Sequence, residues 1–368
     1  MTTAIAAISL LGACGQSPSG TQPSPSAGRS SSVSPAAPIQ LDSVPSAHIA
    51  FDSESRGLAT AQGIVLRTSD GGRTWQRVLK TSGPIRDLRW VAPGRALEAS
   101  ADGVMASLDA GLTWHPTNQS PMGRRVIALA FPNASSGFAV TADGGLWAVS
   151  EDAGQFVRRE STGLSDVTAV SFVDRQHGWA VGPDGVSTTA DNGRTWALQT
   201  TPSFPGLPRP PLIHMADLQH GYVVERYGPA AGTVYSGLVA TDDGAHWSYR
   251  SGPSGNSGPP TPLFATTPPG IDDVDVEGPE ALLAASVSDV VSGMQVCTSP
   301  DGGRHWACTP ERLTHPAQVG TGAVAILRLT GGGLVAASLT NGSVLELSTS
   351  SDGGASWTVD ARVPVAAP

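Results

Sequence analysis

Lysine and cysteine are scarce in this chain, and their scarcity narrows what the protein can be. Lys80 is the only lysine among 22 basic residues, and 31 acidic residues give a formal net charge of −9. That balance excludes a typical nucleic-acid partner, because such binding depends on neutralising phosphates with basic groups. Three cysteines and eight histidines show no metal-ligand spacing. P-loop, dinucleotide and nucleophile-elbow motifs are missing, so we predict neither a cofactor nor a metal.

Long apolar runs and helical periodicity are also missing. The sequence contains no stretch of about 18 apolar residues that could span a membrane. Its 44 glycines and 30 prolines favour many short elements joined by turns over long helices.

One motif recurs instead, with the pattern Ser/Thr-x-Asp-x-Gly-x-Thr-Trp, as in Thr189–Trp196. Its aspartate falls at seven positions: Asp70, Asp109, Asp152, Asp191, Asp242, Asp301 and Asp352. A period of roughly 40–60 residues is typical of a repeat architecture. The third copy is degraded, since Phe156 and Val157 stand where Thr and Trp belong.

Each motif closes a similar unit of four short runs with alternating apolar residues. In the fourth unit the runs begin near Val167, Gly178, Gly185 and Trp196. Alternation over 4–7 residues between turn residues predicts antiparallel strands. We therefore predict an all-β fold, a single seven-bladed β-propeller of four-stranded blades over residues 41–363.

A structural role accounts for the motif itself. The Asp side chain can accept backbone N–H groups of its own turn, the Gly supplies a positive φ, and the Trp packs against a neighbouring strand. We expect turn fasteners at these positions rather than catalysts or calcium ligands.

Two cysteines flank the sixth motif. If the motif joins the third and fourth strands of a blade, Cys297 and Cys308 lie opposite each other across the hairpin. A cross-strand disulfide is then predicted, and such a bond persists in an exported protein. Two free buried thiols are the alternative.

The N-terminus predicts export. Leu11-Gly-Ala-Cys14 resembles the lipobox of bacterial lipoproteins, which implies a signal peptide over residues 1–14 and acylation of Cys14, although no Lys or Arg precedes the apolar run. Residues 15–40 are rich in Ser, Pro and Gly and predict a disordered linker. The alternative to acylation is that Cys14 is a buried cysteine. The expected location is extracytoplasmic, with membrane contact through the lipid anchor only.

Long insertions all fall in one class of loop. They occur between the second and third strands of a blade or between blades, on the face opposite the motifs. Insertions on one face of a repeat array often mark the binding side, although neutral surface variation would give the same pattern. We predict partner-binding residues there: Arg209, Glu225, Arg226, Tyr227, Arg250 and Arg312. Further polar candidates are His214, Glu311, His315, Arg86, Arg124 and Arg125.

The motifs resemble the Asp-box (BNR) repeats of sialidases and related propellers. The cadence from Val167 through His177-Gly-Trp-Ala-Val-Gly182 to Trp196 is most similar to the photosystem II stability/assembly factor family. The resemblance extends over roughly residues 45–361 and implies the propeller fold. It does not imply a photosynthetic role, because the motif residues are those that build blades.

The resemblance to sialidases also suggests an enzymatic alternative. Sialidases of this fold use an Arg triad, which begins in an Arg-Ile-Pro motif, and a Tyr nucleophile paired with Glu. Arg-Ile-Pro does not occur here, and only Glu225-Arg226-Tyr227 brings the three residue types together. We therefore predict a monomeric, non-catalytic binding or assembly scaffold for a protein or a cell-envelope glycan. A sialidase-like exo-glycosidase is the alternative.

Overall fold

A computed structural model provides the fold. It describes residues 47–100, 102–117, 126–133, 136–141, 143–150, 155–159, 164, 167–182, 184–199, 201, 209–230, 233–251, 273–287, 294–308, 324–340 and 344–365.

The first four blades contain sixteen strands. Blade one has β1 (Ala47–Phe51), β2 (Gly57–Ala61), β3 (Ile64–Thr68) and β4 (Gln76–Lys80). Blade two has β5 (Asp87–Ala92), β6 (Arg95–Ser100), β7 (Gly103–Ser107) and β8 (His115–Pro116). Blade three has β9 (Val126–Asn133), β10 (Ser136–Thr141), β11 (Leu146–Val149) and β12 (Phe156–Arg159). Blade four has β13 (Ala169–Phe172), β14 (Gly178–Gly182), β15 (Gly185–Thr189) and β16 (Ala197–Leu198).

The remaining three blades follow the same plan. Blade five has β17 (Arg209–Met215), β18 (Gly221–Ala230), β19 (Thr233–Thr241) and β20 (Ser248–Ser251). Blade six has β21 (Asp273–Val276), β22 (Leu282–Val287), β23 (Met294–Ser299) and β24 (Ala307–Cys308). Blade seven has β25 (Val324–Arg328), β26 (Leu334–Thr340), β27 (Val344–Ser350) and β28 (Thr358–Pro364).

The blades form a closed ring, which confirms the predicted seven-bladed propeller. In each blade the four strands pair antiparallel in chain order. The first strands of neighbouring blades contact one another from blade one to blade five and between blades six and seven, and β1 packs against β25 to close the ring. A shared cluster of buried residues joins blades five and six. In the part of the chain that the structure describes, no helix is long and apolar enough to cross a membrane.

The hydrophobic core is divided among the interfaces between blades. Each of the seven interfaces has its own cluster of buried residues, as far as the described residues show. Between blades three and four, Phe138 stacks on Phe172 with ring centroids 3.7 Å apart, and Trp196 meets Phe172 edge-on. Each blade is therefore stabilised mainly by its two neighbours, because a lone four-stranded sheet cannot bury both faces.

In blades one and four a glycine follows a phenylalanine by six residues, and this spacing has a packing explanation. Phe172 lies directly opposite Gly178 in the ladder between β13 and β14. A Cβ at Gly178 would approach the Phe172 ring to 2.4 Å, so only glycine leaves room for the ring. Phe51 and Gly57 repeat this arrangement in blade one.

The Asp-box motifs fasten the turn between the third and fourth strands, as predicted. In blade four, Asp191 accepts hydrogen bonds from the backbone N–H of Arg194 and Thr195, both at 2.9 Å, and from the Thr195 hydroxyl at 2.7 Å. The hydrogen bond from the Thr195 hydroxyl has the largest effect on the pKa of Asp191, followed by the bond from the Thr195 backbone N–H. Together with weaker contributions they lower this pKa to about 2. Thr189 donates to the same carboxylate. Similar bonds surround Asp70, Asp109, Asp301 and Asp352.

The box glycine also joins neighbouring blades. Gly193 has a φ of 77°, a conformation that L side chains rarely adopt. A Cβ there would lie 2.4 Å from the side chain of Leu146 in blade three. The Trp196 indole N–H donates to the Gly193 carbonyl at 3.1 Å and is buried in the same interface. The motif therefore closes a hairpin and at the same time docks it on the preceding blade.

Blade three keeps the packing without the full motif. Phe156 is buried in the interface between blades two and three, whereas Val157 is 57% exposed. An apolar ring thus replaces the missing Trp in the core. Asp152 lies outside the described residues.

In blade five the assignment of Asp242 as the box aspartate is wrong. Asp243 accepts the hydrogen bonds from the backbone N–H of Ala245 and His246, at 2.9 and 2.8 Å, and also bonds the His246 side chain. The turn is one residue shorter than in the other blades, so counting back from Trp247 selects the neighbouring acid. Asp242 instead bonds Arg250 and Arg304.

The predicted disulfide is present. Cys297 and Cys308 are direct partners in the ladder between β23 and β24, and their sulfur atoms are bonded. Cys297 is buried in the interface between blades five and six, and Cys308 is exposed. The bond therefore ties the short outer strand β24 to the core of blade six.

The ring has two distinct faces. We call the one that carries the Asp-box turns the box face, and the opposite one the insertion face. The first strand of each blade runs toward the box face, because the turn that follows it contacts the box turn, as in the bond from Gly71 N–H to the Ser55 carbonyl. Ala47 at the start of β1 and Pro364 at the end of β28 therefore both lie at the insertion face.

The corrected box assignment gives a paired mutational prediction. Asp243→Ala removes the acceptor for two turn N–H groups and should lower the free energy of unfolding by about 1–2 kcal/mol. Asp242→Ala removes only an exposed ion-pair partner and should cost about 0–1 kcal/mol. Thermal unfolding of the two variants checks this. Equal destabilisation, or the reverse order, would restore Asp242 as the fastener.

The disulfide gives a second prediction. Reduction, or the double change Cys297→Ser and Cys308→Ser, should lower the free energy of unfolding by about 2–4 kcal/mol, because the bond restricts the unfolded chain. Denaturant unfolding with and without reductant measures the loss. The double variant serves as the control, since reductant should leave its unfolding curve unchanged.

Candidate partner-binding face

Blade five extends the sheet on the insertion face. Strand β18 has 10 residues and β19 has 9, whereas β2 and β3 of blade one have 5 each. The two strands stay paired through Tyr227 and Tyr235 and meet again at Ala230 and Thr233. The stretch from Tyr227, predicted as a loop insertion, is therefore largely a continuation of the hairpin.

Arg209, Arg226 and Tyr227 come together on this extension. Strand β17 begins at Arg209, which lies opposite Arg226 in the ladder. The prediction that Arg209 lies in a loop insertion between blades is therefore wrong. Three of the predicted binding residues therefore lie at the insertion-face end of blade five, on its first and second strands.

Glu225 was predicted to bind a partner at the surface, but the structure places its side chain in the interior. It is fully buried and accepts a hydrogen bond from the Tyr249 hydroxyl at 3.0 Å. Gly237 lies opposite Glu225 in the ladder, and Tyr249 is the partner of Val239 two residues further on. Because Gly237 has no side chain, Tyr249 can cross β19 to reach the acid.

Arg250 was predicted at the insertion face, but its guanidinium bonds Asp242 on the box face. Arg304 of blade six donates to the same carboxylate at 2.8 Å. The three side chains therefore bridge blades five and six beside the box turns. The side chain of Arg250 belongs to this bridge, which corrects its predicted place.

Several predicted positions lie outside the described residues. These are Cys14, Arg124, Arg125, Glu311, Arg312 and His315. Their roles remain predictions.

Polar side chains on the inner strands connect neighbouring blades, and sequence reasoning missed them. Asp87 accepts a hydrogen bond from the backbone N–H of Leu129 at 2.8 Å. Ser171 accepts one from Met215 N–H at 3.0 Å, and Asp275 one from Arg328 N–H at 3.2 Å. The inner strands of adjacent blades share no backbone ladder, so these side chains satisfy N–H groups that face the axis. Polar residues at alternating positions of the first strand were the available signal.

The axis also holds buried charge. Arg89 is 6% exposed and pairs with Asp87 at 2.9 Å. His214, on the inner strand of blade five, is 8% exposed, and its Nε2 has no hydrogen-bond partner in the described structure. Burial, and to a smaller extent the charge of Arg89, lowers the pKa of His214 to about 4. The imidazole is therefore neutral at neutral pH.

Glu98 in blade two is a second buried acid. Its side chain is fully buried and bonds only the Ser100 hydroxyl, at 3.3 Å, while Oε2 has no partner in the described structure. Burial raises the pKa of Glu98 to about 8, against a smaller opposing effect of Ser100. By contrast, buried Glu346 in blade seven accepts a hydrogen bond from Arg362 at 2.8 Å.

The buried arginines and the Tyr–Glu pair that a sialidase-like site would combine lie in different blades of the described structure. Glu225 and Tyr249 form a Tyr–Glu hydrogen bond, but on the second and fourth strands of blade five rather than beside the axis. The buried arginines Arg86 and Arg89 belong to blade two, on the other side of the ring. Among the described residues, no group of three or more His, Cys, Asp or Glu side chains could hold a metal ion.

Glu98 gives a pH-dependent prediction. Its pKa is raised above the ordinary 4.5, so the folded state holds a proton that the unfolded state releases. Stability present below pH 4.5 is then lost as the pH rises toward 8. Glu98→Gln should gain on the order of 2–4 kcal/mol relative to the parent between pH 5 and pH 9. Thermal unfolding at both values measures this, and an unchanged difference would show that Glu98 is ionised in the folded protein.

Comparison with known proteins finds a family model that matches the part of the chain containing the first four blades. The family model for photosynthesis system II assembly factor YCF48 matches residues 33–206. Photosystem II assembly lipoprotein Ycf48 of one Prochlorococcus marinus strain is 29% identical over 173 residues, which cover 43% of this chain and 48% of the relative. The chain thus spans about half the length of the curated relatives that it matches.

Solved structures share the fold at low sequence identity. A structure described as YCF48 bound to D1 peptide aligns with a TM-score of 0.54 at 14% identity, over 84% of this chain and 92% of that chain. An ancestral GH74 enzyme aligns with a TM-score of 0.56 at 14% identity, over 89% of this chain and 46% of that one. Such likeness shows the fold alone. Together with the repeat pattern and the match to residues 33–206, it identifies the chain as an Asp-box β-propeller similar to the photosystem II assembly factor YCF48 family.

Proposed function

We propose that the protein is an exported lipoprotein, anchored through Cys14, that acts as a non-catalytic assembly scaffold. The observation that carries the proposal is the extension of β17, β18 and β19 on the insertion face, where Arg209, Arg226 and Tyr227 lie close along the ladder. Tyr and Arg are enriched in protein interfaces and supply much of their binding energy. The partner is a protein segment that binds the insertion-face end of blade five.

The relatives support this class of function. Two Prochlorococcus proteins that match the chain are named photosystem II assembly lipoproteins, and a structural relative is described as bound to a D1 peptide. Those names support a lipid-anchored assembly role and a protein ligand. The extension of blade five begins at Arg209, beyond the end of the family match at residue 206. The partner of this chain must therefore be identified by experiment on the chain itself.

Shortening the blade-five hairpin tests the proposal. Glu225 and Gly237 are direct ladder partners, so a two-residue Asn-Gly turn can replace residues 226–236. We expect this variant to lose its partner and keep its melting temperature. The matched control places the same turn between Leu339 and Leu345, a ladder pair at the corresponding turn of blade seven, and should keep both.

Photo-crosslinking in the native envelope provides the readout. A crosslinker at Tyr227 should give a discrete, protease-sensitive adduct, whereas one at Leu112, 51% exposed on the box face, should not. A protease-resistant adduct would indicate a glycan instead. Equal adducts at both sites, or none at Tyr227, would contradict the proposal. Turnover of a fluorogenic sialoside by the parent protein would favour the enzymatic alternative.

A further inference from the structure

A cleft opens on the insertion face at the seam between blades one and seven. Its volume is about 280 Å³. The turn between β2 and β3, the segment after β4 and the end of β28 form its walls. The lining residues that matter here are Gln62, Arg77, Lys80, Ser82 and Pro364.

A β-bulge places two cations on the same wall of this cleft. Arg77 lies opposite Leu66 and Lys80 opposite Ile64, with a register shift between the two pairs. Residues three apart in a regular strand point to opposite faces. The extra residue, Val78, reverses that relation, so both cations lie on the side of Ile64 and Leu66, which pack toward blade seven.

These two cations differ from four other arginines of the described structure. Arg56, Arg304, Arg328 and Arg362 each form an ion pair with Asp or Glu. In the described part of the chain, neither Arg77 nor Lys80 has a carboxylate partner. The acid connected to the cleft wall is Asp102, which accepts hydrogen bonds from the backbone N–H of Ser82, at 2.7 Å, and from its hydroxyl. The cleft therefore keeps two exposed positive charges on a chain whose net charge is −9.

We propose that this cleft binds an oxyanion of the phosphate class. A planar guanidinium and an ammonium that approach from separate positions suit a tetrahedral group with several charged oxygens, whereas one Arg can satisfy a carboxylate in bidentate fashion. The cleft has room for a phosphate and for part of the molecule that carries it. Gln62 and Ser82 add polar atoms to the wall.

Two sources could supply this chemistry. One is the headgroup of an anionic phospholipid, since Ala47, where the segment that carries Cys14 joins the propeller, lies on the same face and in the same blade. The other is a soluble phosphate ester. In the first case the cleft adds a second membrane contact to the lipid anchor.

Vesicle binding by the full chain carrying Cys14→Ser, which cannot be acylated, tests the proposal. We expect co-sedimentation with vesicles of phosphatidylcholine and phosphatidylglycerol but not of phosphatidylcholine alone. Changing both Arg77 and Lys80 to Gln should weaken binding by about tenfold or more at low salt. The control double variant, Arg95→Gln with Arg194→Gln, removes the same charge from exposed sites on the box face and should bind like the parent.

Calorimetric titration with inorganic phosphate and glycerol 3-phosphate distinguishes the sources. Binding of both vesicles and glycerol 3-phosphate, each lost in the cleft variant, identifies a headgroup site. Binding of the soluble phosphates alone identifies a soluble ester. If the two double variants lose binding equally, or the parent binds none of the probes, the proposal is wrong. Unchanged melting temperatures ensure that the cleft variant is folded.

Discussion

The contact between the box turn of one blade and the side chains of the preceding blade supports the whole ring. Gly193 illustrates it, because its missing Cβ lets the turn approach Leu146 while Trp196 fills the interface beside it. The Asp hydrogen bonds fix the turn in the shape that this approach requires. Where the motif changes, as at Phe156, the apolar group in the interface is retained. Burial between blades is thus the constraint, and the polar motif serves it.

Much of the fold could be predicted because the repeat reports local geometry. The position of a box on the chain defines a hairpin, and hairpin register alone places Cys297 opposite Cys308. The same logic failed at Asp242, where a turn shorter by one residue moves the fastening role to Asp243. A periodic pattern predicts an element well, but it does not reveal a single-residue deletion inside a turn.

The candidate site was harder to predict because side-chain direction depends on tertiary contacts. Arg250 follows Trp247 on a strand that runs to the insertion face, yet its guanidinium turns back to Asp242. Glu225 looks like a surface acid in sequence, but the absent side chain of Gly237 allows Tyr249 to cover it. The inner-strand charges Asp87 and Arg89 were missed for the opposite reason, since no repeat marks them. Arg209, Arg226 and Tyr227 lie at the insertion-face end of blade five, but in paired strands rather than in the predicted loops.

The position of Ala47 on the insertion face has a consequence for how the molecule works. Under the proposed anchoring at Cys14, the point of attachment would be at the insertion face, and a random-coil connection to Ala47 would have a root-mean-square span of roughly 30 Å. The extension of blade five, on the same face, would then remain near the membrane. The effective concentration of a membrane-embedded partner there would be on the order of millimolar. A weak interface would be sufficient under such confinement, and a weak interface also dissociates quickly.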